Sequence, residues 1–215
     1  MKVVKSIGEI RKAVREQKMQ AKTVSFVPTM GAIHEGHLSL MRLAREKSDV
    51  VVVSIYVNPE QFGPNEDFSL YPRPLDKDLG FCRHEGIDMV FTPDDSIMYG
   101  EEKYFRIEIE QLNDHMDGGS RPGYFQGIVL VVNKLLNIVQ PDIAVFGQKD
   151  IQQYQIIKQM VKEFNHEVEL LMAPIARAED GLALSSRNAY LSEKERTIAP
   201  SLYRSLRYVE KQLMD

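Results

Sequence analysis

The chain has 215 residues, a formal net charge of −4 at pH 7 and one cysteine, Cys82, so it can build a sizeable core but no intrachain disulfide. The negative charge gives no electrostatic reason to expect a nucleic acid or an anionic membrane as a partner. No apolar run is long enough to span a bilayer, and the first residues lack the apolar core of a signal peptide. We therefore expect a cytoplasmic protein.

A strand followed by a sharp turn is the first feature with functional content. Ser6 and Glu9 have the spacing of a capping box, which predicts a first helix that runs to about Lys22. Residues 23–27 favour a strand, and residues 28–37 contain a proline, two glycines and two histidines before helix-compatible sequence resumes at Leu38. The chain is expected to turn sharply where the strand passes into a helix.

We interpret this turn as a phosphate-binding site, because ligands of open α/β sheets bind where strands pass into helices. A helix that begins here offers unpaired backbone N–H groups and the positive end of its dipole. His34 and His37 would lie on one side of that helix. From this run alone, a simpler interpretation stays open, in which the two histidines only cap the turn.

Two other motifs fit the run less well. A zinc protease helix needs histidines four residues apart, whereas His34 and His37 are three apart, with no Cys or acidic cluster placed to complete a zinc site. Gly31 and Gly36 have the spacing of a P-loop, but His37 and Leu38 stand in place of the lysine and the hydroxyl residue. A strict P-loop is therefore not expected.

The next strand predicts a second group of polar residues. Residues 50–57 are nearly all apolar and β-branched, which is typical of a central strand covered by helices on both faces. Asn58 and Gln61 follow at its carboxyl end, where their amides could orient a polar substrate. Asn58 could instead make only a local turn before Pro59, and the sequence favours neither interpretation.

Periodicity and turn residues predict the rest of the chain. Phe105, Ile107 and Ile109 alternate with charged residues, which indicates a half-exposed strand, and residues 118–123 indicate a flexible loop that carries Arg121. The other expected elements are helices over residues 75–85, 125–139 and 151–164, strands over residues 87–91, 143–146 and 168–172, and a helix from Ser192 toward Asp215.

Further polar residues are expected at the same edge of the sheet. Lys149 lies between a strand and a helix whose first turn carries Gln153. Ser185, Ser186 and Arg187 follow the last strand, where hydroxyls and a guanidinium can enclose a phosphate chain. A solvated lysine and an ordinary serine-rich loop are the plain alternatives.

Taken together, these residues predict nucleotide transfer to a carboxylate. That reaction needs groups that stabilise negative charge on the α-phosphate and the departing pyrophosphate, a task that fits His34, His37, Lys149 and Arg187. The element order predicts an α/β fold, in which helices cover both faces of a parallel sheet.

Four sequence blocks resemble the pantothenate synthetase family, in order and over nearly the whole chain. They are PTMGAIHEGH at residues 28–37, VNPEQFG at 57–63, FGQKDIQQ at 146–153 and DGLALSSRN at 180–188. The HxGH signature alone would indicate only the wider nucleotidyl-transferase superfamily. One departure is Tyr124, which stands where the family often has a histidine.

The resemblance implies a two-step reaction. ATP would adenylate the carboxylate of pantoate and release pyrophosphate, and the amine of β-alanine would then attack the adenylate and release AMP. The family also implies a Rossmann-like domain, here residues 1–173, followed at residues 174–215 by the serine-rich loop and the first helix of an incomplete C-terminal domain. In the family that second domain covers the active site. Mg²⁺ bound mainly through the nucleotide and a homodimer are implied as well. Two alternatives are a nucleotide-binding module without synthetase activity and a different nucleotidyl transferase that uses the same turn.

The resemblance also assigns roles to residues by motif position. His37 would be the proton donor of the family. The phosphates would be held by His34, Lys149, Ser185, Ser186 and Arg187. Pantoate would be bound by Asn58, Gln61 and Gln153, with Gln61 also near β-alanine. The implied ATP site consists of Met30, Gly31, Ala32, Ile33, His34, Glu35, Gly36, His37, Gly147, Gln148, Lys149, Asp150, Ala176, Leu184, Ser185, Ser186 and Arg187.

Overall fold

The computed structural model describes residues 1–102 and 104–214, and within them the chain forms an all-parallel sheet of six strands. The strands are β1 (Lys2–Val4), β2 (Val24–Thr29), β3 (Val50–Ile55), β4 (Met89–Phe91), β5 (Ile143–Gly147) and β6 (Glu169–Ala173). Their order across the sheet is β1-β4-β3-β2-β5-β6, and every neighbouring pair is parallel. The predicted Rossmann-like α/β fold is confirmed.

Helices cover both faces of the sheet, and the described residues contain nine α-helices. They are α1 (Ile7–Lys18), α2 (Glu35–Lys47), α3 (Leu75–His84), α4 (Asp95–Met98), α5 (Met116–Ser120), α6 (Tyr124–Val139), α7 (Ile151–Glu163), α8 (Glu193–Ile198) and α9 (Ser201–Met214). One apolar cluster joins the sheet to α1, α6 and α7, and a second joins it to α2 and α3. Cys82 lies in the second cluster, fully buried, as a core residue.

The position of strand β3 in the sheet explains the run of four valines that begins it. Val50 and Val52 point into the first cluster, whereas Val51 and Val53 point into the second. Because successive side chains of a strand point to opposite faces, both sets are buried when helices cover both faces. The predicted central strand is therefore confirmed.

The strand order places a crevice between β2 and β5. From β2 the chain moves to β3 and β4 on one side, and β5 and β6 extend the sheet on the other. Connections that leave in opposite directions open a gap at the carboxyl ends of such a neighbouring pair, where ligands of doubly wound sheets bind. The histidine turn after β2 and the Lys149 turn after β5 both lie at this gap.

Two predictions for the middle of the chain are wrong. Residues 104–110 form no strand and pair with none of the six strands, and Phe105 is 87% exposed, whereas Ile107 and Ile109 pack against the first apolar cluster. Alternation of apolar and charged residues is therefore not enough to make a strand. The predicted flexible loop at residues 118–123 is helical in its first part, where α5 ends at Ser120.

The predicted C-terminal helix is divided in two. Ser192 and Glu195 form the expected capping box at the start of α8, but this helix ends at Ile198 and α9 begins at Ser201. Pro200 lies between them, and a proline interrupts a helix because it has no N–H and its ring clashes with the preceding turn. Asp215 lies outside the described residues. Within the described chain, no helix is both long and apolar enough to cross a membrane.

Candidate functional site

The crevice between β2 and β5 opens into a pocket lined by segments from the whole chain. Its walls come from the turns after β2, β3, β5 and β6 and from one side of α6. The predicted site residues that line it are Met30, His34, Gly36, His37, Asn58, Gln61, Gly147, Lys149, Asp150, Gln153, Ala176, Leu184, Ser185, Ser186 and Arg187. The fold therefore brings the four sequence blocks to a single pocket.

Both imidazoles of the histidine turn are oriented by backbone N–H groups of the same turn. The Nδ1 atom of His34 accepts from the N–H of Gly36 at 3.1 Å, and the Nδ1 atom of His37 accepts from the N–H of His34 at 3.4 Å. The rings lie beside each other, with centroids 4.1 Å apart. A neutral imidazole whose Nδ1 accepts carries its proton on Nε2, so each ring has an Nε2–H donor.

The backbone of the turn differs from its predicted state. The N–H of Gly31 donates to the Thr29 hydroxyl at 3.1 Å, and the N–H groups of Ala32 and Ile33 donate to the Asp78 carboxylate at 2.9 and 2.8 Å. The expectation of unpaired N–H groups is therefore wrong for residues 31–34 and 36. The side-chain donors that the turn offers are the Nε2–H groups of its two imidazoles.

Asp78 fixes this turn from a different helix, α3. The residue is 1% exposed, and burial raises the pKa of its carboxyl group. Gly31 has a φ of +79°, and a Cβ at this position would lie 2.8 Å from the Asp78 carboxylate. The carboxylate can therefore approach the backbone only because residue 31 has no side chain.

Burial also determines the charge of the two histidines. It lowers the pKa of His37 to about 3, with smaller effects from the nearby His34 and Lys149. Burial, followed by the charge of Lys149, lowers the pKa of His34 as well. Both rings are therefore neutral hydrogen-bond donors near pH 7, so the positive charge of this wall comes from the ammonium group of Lys149.

The opposite wall carries a guanidinium that is already paired. Arg187 donates from Nε and Nη2 to both oxygens of Asp67, at 3.0 and 2.8 Å, and this pairing lowers the pKa of Asp67. The hydroxyl of Ser186 lies 3.2 Å from that of Tyr71. These contacts connect the serine-rich loop to the segment that follows β3.

The predicted loop arginine is held in the same region. Arg121 donates from Nε and Nη2 to Glu66 at 2.7 and 2.5 Å, and its guanidinium lies 3.4 Å from the centroid of the Tyr124 ring. Tyr124, the residue that departs from the family pattern, lines the pocket. Its ring therefore packs between Arg121 and the cavity.

Asn58 is a structural residue as well as a pocket residue. Its Oδ1 accepts from the N–H of Glu60 at 3.3 Å, which is the local turn considered as an alternative. Its Nδ2 donates to Gln61 Oε1 and to the carbonyl oxygen of Gly127, each at 3.1 Å. The residue is 1% exposed, so its amide is used within the protein.

Five predicted ATP-site residues do not line the pocket. Gly31, Ala32 and Ile33 form the buried part of the turn, Glu35 pairs with Arg42 on the surface, and Gln148 is exposed. Asp78 was not predicted, although the sequence contains a signal for it. In α3 it shares a face with the apolar Leu79 and Cys82, where an acidic residue needs a buried partner.

Relatives with known names match nearly the whole chain. A family model described as pantoate-β-alanine ligase matches residues 2–215. The pantothenate synthetase of Thermoanaerobacter sp. (strain X514) is 50% identical over 215 residues, which are 100% of this chain and 76% of that protein. The pantothenate synthetase of Thermotoga petrophila is 50% identical over 210 residues, which are 98% of this chain and 75% of that protein.

Solved structures agree with the sequence matches. Pantothenate synthetase from Thermus thermophilus has a TM-score of 0.93 at 44% identity, over 99% of this chain and 76% of that one. Pantoate-β-alanine ligase from Francisella tularensis, solved in complex with beta-gamma ATP and β-alanine, has a TM-score of 0.90 at 39% identity, over 96% and 79% of the two chains. The chain therefore belongs to the pantoate–β-alanine ligase family, the pantothenate synthetases, enzymes that join pantoate to β-alanine.

Proposed function

We propose that this enzyme joins pantoate to β-alanine through a pantoyl adenylate. In the first step a pantoate carboxylate oxygen attacks the α-phosphorus of ATP, and the bond to pyrophosphate breaks. In the second step the β-alanine amine attacks the acyl carbon, loses a proton, and displaces AMP. The observation that carries this proposal is the convergence of His34, His37, Lys149 and Arg187 with three amide residues in one pocket.

We assign the phosphates to the walls that carry the positive charge and the Nε2–H donors. Transfer of a nucleotide needs fixed donors for the charge that develops on phosphate oxygens, and neutral imidazoles held by their own backbone supply these without reorganisation. His37 accordingly acts as a hydrogen-bond donor to phosphate, because its lowered pKa keeps it uncharged near neutral pH. Ser185, Ser186 and Arg187 would contact the same phosphates from the opposite wall.

We assign pantoate to the amide groups at the base of the pocket. Gln61 and Gln153 line it beside an apolar surface formed by Ile128, Val131 and Val132 of α6. Pantoate has hydroxyl and carboxylate oxygens as well as two methyl groups, so it needs both kinds of surface. Asn58 would support Gln61, and β-alanine would bind near Gln61 after the adenylate has formed.

Mg²⁺ fits this site only as an ion carried by the nucleotide. Among the described residues, no three His, Cys, Asp or Glu side chains are grouped so that they could hold a metal ion. Mg²⁺ commonly keeps several waters and binds through one or two carboxylates together with substrate phosphates. Asp150 is the carboxylate in the pocket lining that could contribute, and the ion would neutralise phosphate charge.

A pyrophosphate-release assay tests the two-step reaction. We expect release from ATP that depends on pantoate, with AMP appearing only after β-alanine is added. Pyrophosphate release without pantoate would contradict the proposal. AMP release before β-alanine would equally contradict a stable adenylate in this site.

Replacing one histidine tests the assigned donors. We expect His37→Ala to slow pantoate-dependent pyrophosphate release by about 10²- to 10³-fold, the usual cost of losing one donor to a developing oxyanion. His166→Ala is the matched control, because this partly buried histidine bonds Asn133 away from the pocket. A folded His37→Ala enzyme with nearly normal release would refute the role of His37.

We further propose that the enzyme is a homodimer that works in the cytoplasm. The support for a dimer is that three large apolar side chains within residues 104–116 are exposed, Tyr104, Phe105 and Met116 at 80%, 87% and 71%. Light scattering would measure the mass directly. A monomer at micromolar concentration would reject the dimer without affecting the proposed reaction.

A further inference from the structure

We propose that Tyr99 is a positioning residue that determines which atom of Gln61 faces the substrate. The inference rests on the proposed function, in which Gln61 contacts pantoate. Tyr99 lies outside the pocket lining, and through it the amide of Gln61 presents its NH₂ group to the cavity. Asn58 lies between Tyr99 and Gln61 and is hydrogen-bonded to both.

Backbone groups fix the orientation of the Asn58 amide. The N–H of Glu60 can only donate, and it contacts Oδ1 of Asn58. The carbonyl oxygen of Gly127 can only accept, and it contacts Nδ2. The opposite orientation of the amide would place like groups together at both contacts, so the assignment of oxygen and nitrogen is determined by the main chain.

This orientation is passed on to Gln61. Asn58 Nδ2 donates to Gln61 Oε1 at 3.1 Å, so the carbonyl end of Gln61 is held on the protein side. The NH₂ group of Gln61 is then the end available to the cavity, which the residue lines while being only 8% exposed. An NH₂ group accepts nothing, so the matching ligand atom is a carboxylate or hydroxyl oxygen and not an ammonium group.

Tyr99 completes this chain of hydrogen bonds. Its hydroxyl donates to Asn58 Oδ1 at 2.6 Å, a shorter contact than those of Asn58 with Glu60, Gln61 and Gly127. Burial raises the pKa of Tyr99, so its hydroxyl keeps its proton near neutral pH. The phenol therefore reinforces the acceptor role of Oδ1, which in turn keeps Nδ2 directed at Gln61.

Close packing against α6 makes the arrangement rigid. A Cβ on Gly127 would lie 2.0 Å from the carbonyl oxygen of Glu60, so the helix backbone touches the turn that carries Gln61. A side chain at residue 127 would push the turn away and break the contact with Asn58. Substrate-facing groups held on a packed backbone lose little freedom when a ligand binds.

The test measures the dissociation constant of pantoate by calorimetry, with the protein saturated with α,β-methylene ATP, which prevents adenylate formation. We expect Gln61→Ala to weaken pantoate binding by about tenfold or more, and Tyr99→Phe by roughly three- to tenfold, the cost of one hydrogen bond. In the double variant, Tyr99→Phe should add nothing to Gln61→Ala, because Tyr99 acts through Gln61. Tyr154→Phe is the control, since this half-buried hydroxyl bonds the backbone of Leu170 outside the pocket.

The outcomes separate the two levels of the proposal. If Gln61→Ala leaves pantoate binding unchanged, the proposed role of Gln61 fails, and the role of Tyr99 fails with it. If Gln61→Ala weakens binding but Tyr99→Phe has no effect, or has the same effect in both backgrounds, only the positioning role is refuted.

Asn58→Asp gives an independent measurement if Tyr99→Phe is unstable. The aspartate keeps an oxygen for Glu60 and Tyr99 but places a second oxygen against Gln61 Oε1 and the carbonyl oxygen of Gly127. We expect pantoate to bind at least about tenfold more weakly, with a smaller effect in the Gln61→Ala background. An Asn58→Asp protein that binds pantoate normally would overturn the proposal.

Discussion

The two walls of the pocket are held in different ways. The histidine turn at residues 30–37 is fixed by buried hydrogen bonds to Asp78 and by bonds within the turn itself. The serine-rich loop at residues 184–187 is fixed mainly by the Arg187–Asp67 ion pair, whose side chains are 42% and 21% exposed, and by the Ser186–Tyr71 contact. One wall is prepared before a ligand arrives, whereas the other contains charges that a ligand can compete for.

The physical difference lies in the solvent around each set of bonds. A buried hydrogen bond to a charged group contributes about 1.5–3 kcal/mol, whereas an exposed ion pair contributes about 0–1 kcal/mol. The histidine turn should therefore keep its shape in the free enzyme. The arginine can exchange Asp67 for a phosphate at little cost, since both partners are anionic.

The largest effect is expected from Asp78→Asn, which disrupts the hydrogen bonds that fix the histidine turn. An amide has one acceptor oxygen, so the N–H of Ala32 or Ile33 would face an NH₂ group and lose its bond. We expect a loss of about 2–3 kcal/mol in the free energy of unfolding and at least about tenfold weaker ATP binding. Denaturant unfolding and calorimetry measure the two effects.

Asp76→Asn is the matched control for this substitution. Asp76 is an exposed residue in the same first turn of α3, so its replacement should change neither quantity. If Asp78→Asn loses stability but binds ATP normally, the carboxylate supports the fold without shaping the nucleotide site.

A smaller effect is expected from pH, through the buried His37 of the histidine turn. The unfolded chain protonates His37 near pH 6.5, whereas the folded chain does so only near pH 3, so the folded state loses stability as the pH falls through this window. We expect His37→Gln to remove about 1 kcal/mol of this loss between pH 6.5 and 5.5. Unfolding curves for both proteins at these pH values measure the difference.

Above pH 8 the same two proteins should differ by a constant amount, because His37 is then neutral in both states. Identical pH dependence of the two proteins below pH 6.5 would show that His37 is accessible to protons in the folded enzyme.

The smallest effect is expected from Asp67→Asn, which removes the ion pair between Arg187 of the serine-rich loop and Asp67. The free energy of unfolding should change by less than about 1 kcal/mol. ATP should bind about two- to fivefold more tightly, because Arg187 no longer has a competing carboxylate. Glu66→Gln breaks the neighbouring ion pair with Arg121 and should leave ATP binding unchanged. Weaker ATP binding by Asp67→Asn would mean that Asp67 orients Arg187 for the phosphate.

Much of the fold was predictable because its signals are local. The apolar runs of β3 and β5, the capping boxes at Ser6 and Ser192, and the turn after β2 each depend on a few neighbouring residues. The strand predicted at residues 105–110 failed because a strand also needs a backbone partner, which the local pattern does not contain. The prediction of one continuous C-terminal helix was wrong at Pro200. The helical periodicity on both sides of this proline favoured a single helix, although the proline itself indicated a break.

The sequence by itself determined the parallel sheet, the placement of four motif blocks at its carboxyl edge, and the family. Only the tertiary structure decided which atoms those blocks present to a ligand. The histidines offer Nε2–H groups because backbone N–H groups occupy Nδ1, and the turn is closed by Asp78, 45 residues from Ile33. Gln61 is oriented through Asn58 by Gly127, which is 69 residues from Asn58. Hydrogen-bond polarity is set by partners in space, and local sequence preference does not extend that far.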